Sequence, residues 1–169
     1  YMLGHSGKKL LFMGQEFGQE REWSEARELD WFLLQNELNQ GLQDYVAELL
    51  KLYRKYPCMY EIDNSWDGFE WINADDADRS IYSFVRKSKD GKNNMLFVCN
   101  FTPVARPDYR VGVPKKKTYK LVLDSDAAEF GGEGTEKSVS YKAVKSECDG
   151  RAFSFAYPLS GYGVAVFKY

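Results

Sequence analysis

Carboxylates are the side chains in this sequence best supplied for chemistry. Glu16, Glu20, Glu22, Glu25 and Glu28 crowd one stretch, and Asp75, Asp76 and Asp78 crowd another. Cleavage of a glycosidic bond with retention needs two carboxyl groups about 5–5.5 Å apart, one acting as nucleophile and one as acid. The acid must also be sheltered, so that its proton stays on at neutral pH. Linear spacing does not establish such a pair here. Glu16 stands apart because it lies between Gly14 and Gly18, just past the apolar run Leu10, Leu11, Phe12 and Met13. Functional groups favour the ends of barrel strands. The aspartates at 75, 76 and 78 fit a solvated turn.

Tryptophan supplies the second candidate chemistry. The flat indole of Trp23, Trp31, Trp66 or Trp71 can stack on the apolar face of a sugar ring, with core packing as the competing use of the same side chain. Trp66 and Trp71 flank Gly68 in a turn-rich stretch, which favours exposure. Other chemistries find little. His5 is the one histidine, expected to be an exposed terminal residue. No Gly-x-Ser-x-Gly elbow accompanies it, so Ser-His-Asp catalysis has no basis. Cys58, Cys99 and Cys148 have neither metal-ligand nor redox spacing and read as reduced, mostly buried thiols of a cytoplasmic protein. The glycine-rich Gly131-Gly132-Glu133-Gly134 lacks the Gly-Lys-Ser/Thr of a phosphate loop. No metal and no cofactor is expected.

These side chains need elements to hold them. The 169 residues are 44% hydrophobic and 16% aromatic, enough to bury a core, and the net charge is −2. That balance supplies neither a basic footprint for nucleic acid nor a polybasic membrane patch. Leu10 to Met13 form a short apolar run between Gly7 and Gly14, which predicts a buried strand. Residues 14–34 read as a long loop, a class that is often functional. Leu38, Leu42, Tyr45, Val46, Leu49, Leu52 and Tyr53 form one helical stripe, with Asn36 or Asn39 as N-cap and Pro57 as the stop. From about residue 60 the pattern is all-β. Strands are predicted at 68–73, 80–87, 94–101, 109–113, 118–123, 138–144, 151–157 and 161–168, with turns at Lys89-Asp90-Gly91-Lys92, Cys148-Asp149-Gly150 and Ser160-Gly161. Eight short strands with regular turns indicate an antiparallel sandwich.

The residues Gly7-Lys8-Lys9-Leu10-Leu11-Phe12-Met13-Gly14-Gln15-Glu16-Phe17-Gly18-Gln19, with Glu22-Trp23 and Leu29-Asp30-Trp31, closely resemble the final barrel strand and following loop of bacterial 1,4-α-glucan (glycogen) branching enzymes. The resemblance continues through Asp67-Gly68-Phe69-Glu70-Trp71-Ile72, Asn100-Phe101-Thr102-Pro103-Val104, Tyr109-Arg110-Val111-Gly112-Val113-Pro114 and Leu123-Asp124-Ser125-Asp126. From about Ser138 it weakens to one of strand pattern. It implies a mainly β fold: an antiparallel β-sandwich of the α-amylase C-domain type over residues 60–169, preceded by the last strand, loop and helix of a (β/α)8 barrel over residues 1–59.

That family cleaves an α-1,4 linkage through a covalent glucosyl-enzyme intermediate and passes the chain to a 6-hydroxyl. Its catalytic carboxylates lie on earlier barrel strands, so the resemblance implies no catalytic residue here and an inactive fragment of an enzyme of glycogen biosynthesis. Trp71, Trp23 and Glu16 are the candidate substrate-binding residues, and α-glucan is the expected partner. The alternatives are another α-amylase-type enzyme, such as a maltooligosyl-trehalose trehalohydrolase, or a non-catalytic glucan-binding module. A lone barrel strand has an open edge. The segment around Leu10 to Met13 is therefore expected to pair with a second copy in preference to folding back on the sandwich.

Overall fold

The computed structural model describes residues 1–134 and 138–169. Among the described residues one α-helix, α1 (Glu37–Lys55), precedes nine strands. These are β1 (Phe69–Asn73), β2 (Ile81–Arg86), β3 (Met95–Asn100), β4 (Arg106–Val113), β5 (Thr118–Asp124), β6 (Ser140–Lys142), β7 (Val144–Cys148), β8 (Arg151–Leu159) and β9 (Val164–Lys168). A six-stranded sheet runs β1-β2-β3-β9-β5-β6 and a three-stranded sheet runs β4-β8-β7, every pair antiparallel.

Alternation along the strands divides the interior into two cores. Ile81, Val85, Leu96, Val98, Leu121 and Phe167 of the larger sheet meet Tyr109, Val111, Val113, Phe155 and Tyr157 of the smaller. On the opposite face, Phe69, Phe84, Met95, Phe97, Cys99 and Val166 pack under Leu52, Cys58 and Met59. That is why all six residues of β3 are buried. Phe84 and Phe97 stack face to face at 4.9 Å, and burying each side chain contributes about 1.5–3 kcal/mol.

Local chemistry explains the boundaries. The Asn36 side chain accepts from the Leu38 N–H and caps α1, while Pro57 ends the helical ladder. Asp149 and Gly150 both have positive φ, at 52° and 66°, the requirement of a two-residue type I′ hairpin. Gly68 precedes β1 because a Cβ there would sit 1.9 Å from the Ile62 carbonyl oxygen.

Three expectations need correction. No strand forms at residues 10–13, because among the described residues no other strand lies beside that segment to complete its ladder. Its side chains are exposed, Leu10 to 70%. The single stretch 138–144 divides at Ala143 into β6 and β7, which belong to different sheets. His5 is half-buried, its ring 4.8 Å from Phe69 and 5.7 Å from Trp71. The N-terminal residues fold back onto the outer face of the larger sheet: Leu3 is buried and the Gly4 carbonyl accepts from Arg86 at 3.0 Å.

Candidate functional site

Trp71 lies on β1, the edge strand of the larger sheet. The pairing runs Trp71 opposite Phe84 and Asn73 opposite Ser83, with a bulge at Ile72. Ile72 enters the core between the sheets, while Trp71 packs on the other face beside Phe69 and Phe84, at 5.0 and 5.7 Å. Alternation along the strand sets these two faces, and the bulge then turns Asn73 to the Ser83 side.

The strand is held from across the sandwich. Arg151 of β8 donates to the Trp71 carbonyl at 3.0 Å and pairs with Glu70 at 2.8 Å, and Lys87 meets the other Glu70 oxygen at 3.3 Å. The Asn73 amide donates to Asp149 at 3.0 Å, and the Gly112 N–H donates to the second oxygen of Asp149 at 2.8 Å. The backbone under Trp71 is thus fixed by groups from the smaller sheet.

Around the half-buried indole, Tyr1, Ala74, Ser80, Tyr82 and Phe101 complete an open groove of about 630 Å³. Tyr82 and Phe101 meet edge to face at 5.7 Å, and Trp71 and Tyr82 lie 6.4 Å apart. The groove carries aromatic faces and hydroxyls, and among the described residues no charged side chain lines it. Such a surface can stack on and hydrogen-bond a neutral ligand. Tyr82 and Phe101 escaped the sequence reading. Period-two alternation would have found them, since Tyr82 shares a face with Phe84, and Phe101 with Cys99.

The other two sequence candidates lie elsewhere. Glu16 sits half-buried in a 3-10 turn, Gln15–Phe17, between left-handed Gly14 and Gly18. Trp23 is exposed, with its ring 5.4 Å from Phe12. Among the described residues no contact joins Trp71, Trp23 and Glu16, so the structure brings no pair of them together. The loop that carries Glu16 and Trp23 is nevertheless anchored. Arg21 makes a bidentate ion pair with buried Asp30, and hydrogen bonding to that guanidinium holds the Asp30 carboxyl below the usual carboxylate range. Gln19 accepts from the Asp30 N–H at 2.8 Å, and Asn39 of α1 donates to the Phe17 carbonyl at 2.8 Å.

Several acids are committed to structure. Asp63 pairs with Arg86, Asp76 with Arg79, Glu70 with Arg151, and Asp124 accepts from Tyr157 at 2.6 Å. Among the described residues no group of three His, Cys, Asp or Glu side chains converges as metal ligands, and no helix is long and apolar enough to cross a membrane. The three cysteines are free. Burial pushes the Cys58 and Cys99 thiols up to about 12, and desolvation with neighbouring Asp149 takes Cys148 to about 11.

Residues 71–169 match the family model described as "Alpha amylase, C-terminal all-beta domain". A 1,4-alpha-glucan branching enzyme GlgB of Butyrivibrio fibrisolvens is 59% identical over 169 residues, covering 100% of this chain and 26% of that protein. The proteins of the same name from Halothermothrix orenii and Aquifex aeolicus are each 44% identical, over 168 and 169 residues, with 27% of each covered. The chain spans about a quarter of the length of these curated relatives.

Proposed function

The chain belongs to the family of α-amylase C-terminal all-β domains, and on that premise we propose that it serves as the C-terminal portion of a 1,4-α-glucan branching enzyme. The observation that carries this is the match of the whole chain, at 59% identity, to a protein of that name. The relatives reported above favour branching over the trehalohydrolase alternative. In this proposal residues 1–59 belong with a catalytic barrel and residues 60–169 are the sandwich. The net reaction is transfer: an α-1,4 linkage is cleaved and an α-1,6 linkage is made in a glycogen-type α-glucan.

These residues would contribute scaffold and glucan contact rather than acid-base chemistry. Trp71 is the main contact, because its groove is aromatic, uncharged and fixed from beneath by Arg151. Trp23 and Glu16 form a separate contact on the loop that follows residue 13. The free thiols support a reducing, cytoplasmic setting. The exposure of Leu10, Leu11, Phe12 and Met13 supports self-association of the isolated chain, for which light scattering is the check; a strict monomer rejects it.

The isolated chain, incubated with amylose, is expected to leave the iodine colour unchanged and to form no α-1,6 linkage. In a native gel containing glycogen it should still be retarded, and Trp71→Ala should reduce the retardation. Turnover by the chain alone contradicts the assignment, and undiminished retardation of Trp71→Ala contradicts the role of the groove.

A further inference from the structure

Trp66 is the most exposed of the large hydrophobic side chains described, at 76%, and its position is not incidental. It walls a concave pocket of about 240 Å³ together with Ser6, Gly7, Asp63, Asn64 and Ser65. The turn that presents it is held in place. Ser65 Oγ accepts from the Asp67 N–H and donates to the Asp67 carboxylate, each at 3.1 Å. The Gly68 N–H donates to the Ser65 carbonyl at 3.1 Å, and the Phe69 ring supports the indole edge to face at 6.1 Å. The polar wall is equally fixed. Asp63 accepts from fully buried Arg86 through one oxygen, at 2.7 Å, and from the Gly7 N–H through the other, at 3.1 Å. Each carboxylate oxygen keeps a further acceptor site. The Asn64 amide makes no hydrogen bond among the described residues and is free to donate and accept.

We infer that this pocket is a second α-glucan contact, in which Trp66 stacks on one glucose unit while Asn64 and Asp63 hydrogen-bond its hydroxyls. An indole face beside an amide and an anchored carboxylate matches the apolar face and hydroxyl edge of a sugar. The pocket's one acid is neutralised by Arg86 and its lining has no cation, which suits a neutral ligand better than an anion. Binding costs little ordering, since the turn is already braced. The choice of α-glucan rests on the branching-enzyme proposal; the groove at Trp71 is a separate surface with its own lining residues.

The test is a maltotriose titration of the 169-residue chain, followed at the indole N–H resonances, each assigned from a Trp→Phe variant. The Trp66 resonance is expected to shift saturably in the millimolar range. Trp66→Ala should abolish saturation reported by Ser65 and Asn64 amides. Asn64→Ala, which keeps the indole, should weaken binding at Trp66 by roughly threefold to tenfold and leave the Trp71 isotherm unchanged. A Trp66 resonance that stays still, or drifts linearly as it does with glycerol, overturns the inference. If Trp71 responds and Trp66 does not, this inference falls alone. If Trp66 saturates and Trp71 does not, the groove proposal falls instead, and silence at both rejects both.

Discussion

Arg86 and Asp63 form an ion pair of 2.7 Å in which the guanidinium side chain is 0% exposed and the carboxylate side chain 19% exposed. Arg86 ends β2, and Asp63 lies in the connection between α1 and β1. The same guanidinium donates to the Gly4 and Met59 carbonyls, each at 3.0 Å. One buried cation therefore ties the N-terminal residues, the connection after the helix and the larger sheet into a single body.

Removing the carboxylate leaves that cation uncompensated. Breaking one partner of a buried pair costs about 3–5 kcal/mol, and the residual exposure of Asp63 puts this case at the lower end. Asp63→Ala is thus expected to lower unfolding free energy by about 3 kcal/mol in urea denaturation. A loss within the range of ordinary surface substitutions, below about 0.5 kcal/mol, contradicts the role given to the pair.

Asp30 makes the loop between residue 13 and α1 sensitive to acid. Hydrogen bonding from Arg21 lowers its folded-state pKa, so the ion pair stabilises the loop fully above the unfolded value of about 3.9. That contribution is lost as pH falls through the lowered folded value. Limited proteolysis by pepsin should therefore cut the loop faster as pH drops through this window, over and above the enzyme's own pH profile measured on an unfolded substrate. Asp30→Asn, corrected for the same profile, should be cut at a rate that does not change across the window. A wild-type loop equally protected on both sides of the window contradicts the anchor.

The thiols should be inert in the folded chain. With Cys58 and Cys99 pushed to about 12 and Cys148 to about 11, the thiolate fraction at pH 8 is about one in ten thousand and about one in a thousand. Iodoacetamide at pH 8 should label Cys148 slowly and the other two only after denaturation. Rapid labelling of Cys58 or Cys99 in the native state would show that the core beneath α1 opens.

Much of this architecture is legible in the sequence because its signals are local. Asn36 and Pro57 bound α1, and Asp149-Gly150 marks its hairpin, each through chemistry confined to a few residues. Apolar residues on both faces of β3 announce a central strand. What escapes depends on non-local pairing. The break at Ala143 moves the chain between sheets without disturbing the local pattern. An arginine at a strand end reads as solvated until Asp63 and two distant carbonyls are placed around it. The run Leu10 to Met13 reads as a strand, yet it forms none without a neighbour. Trp71 is legible from its motif, whereas Tyr82 and Phe101 join it only through the register of β1, β2 and β3.

The motif Asn100-Phe101-Thr102-Pro103-Val104 shows the same division. Its first residue is structural: the Asn100 amide donates to the Val104 and Ser160 carbonyls at 2.9 Å, while its oxygen accepts from the Thr102 N–H and hydroxyl at 3.0 and 2.8 Å. Phe101, the next residue, is exposed in the groove beside Trp71. Sequence resemblance marks both residues alike, and only packing separates the brace from the surface that it presents.

If these residues serve as the C-terminal portion of a branching enzyme, they should replace that portion in a relative. Exchanging the matching segment of the Butyrivibrio fibrisolvens branching enzyme for this chain, and assaying the chimera on amylose, puts this to the test. A folded chimera that lowers iodine absorbance and forms new α-1,6 linkages is expected. A chimera that folds, remains monodisperse and forms no α-1,6 linkage would contradict that role.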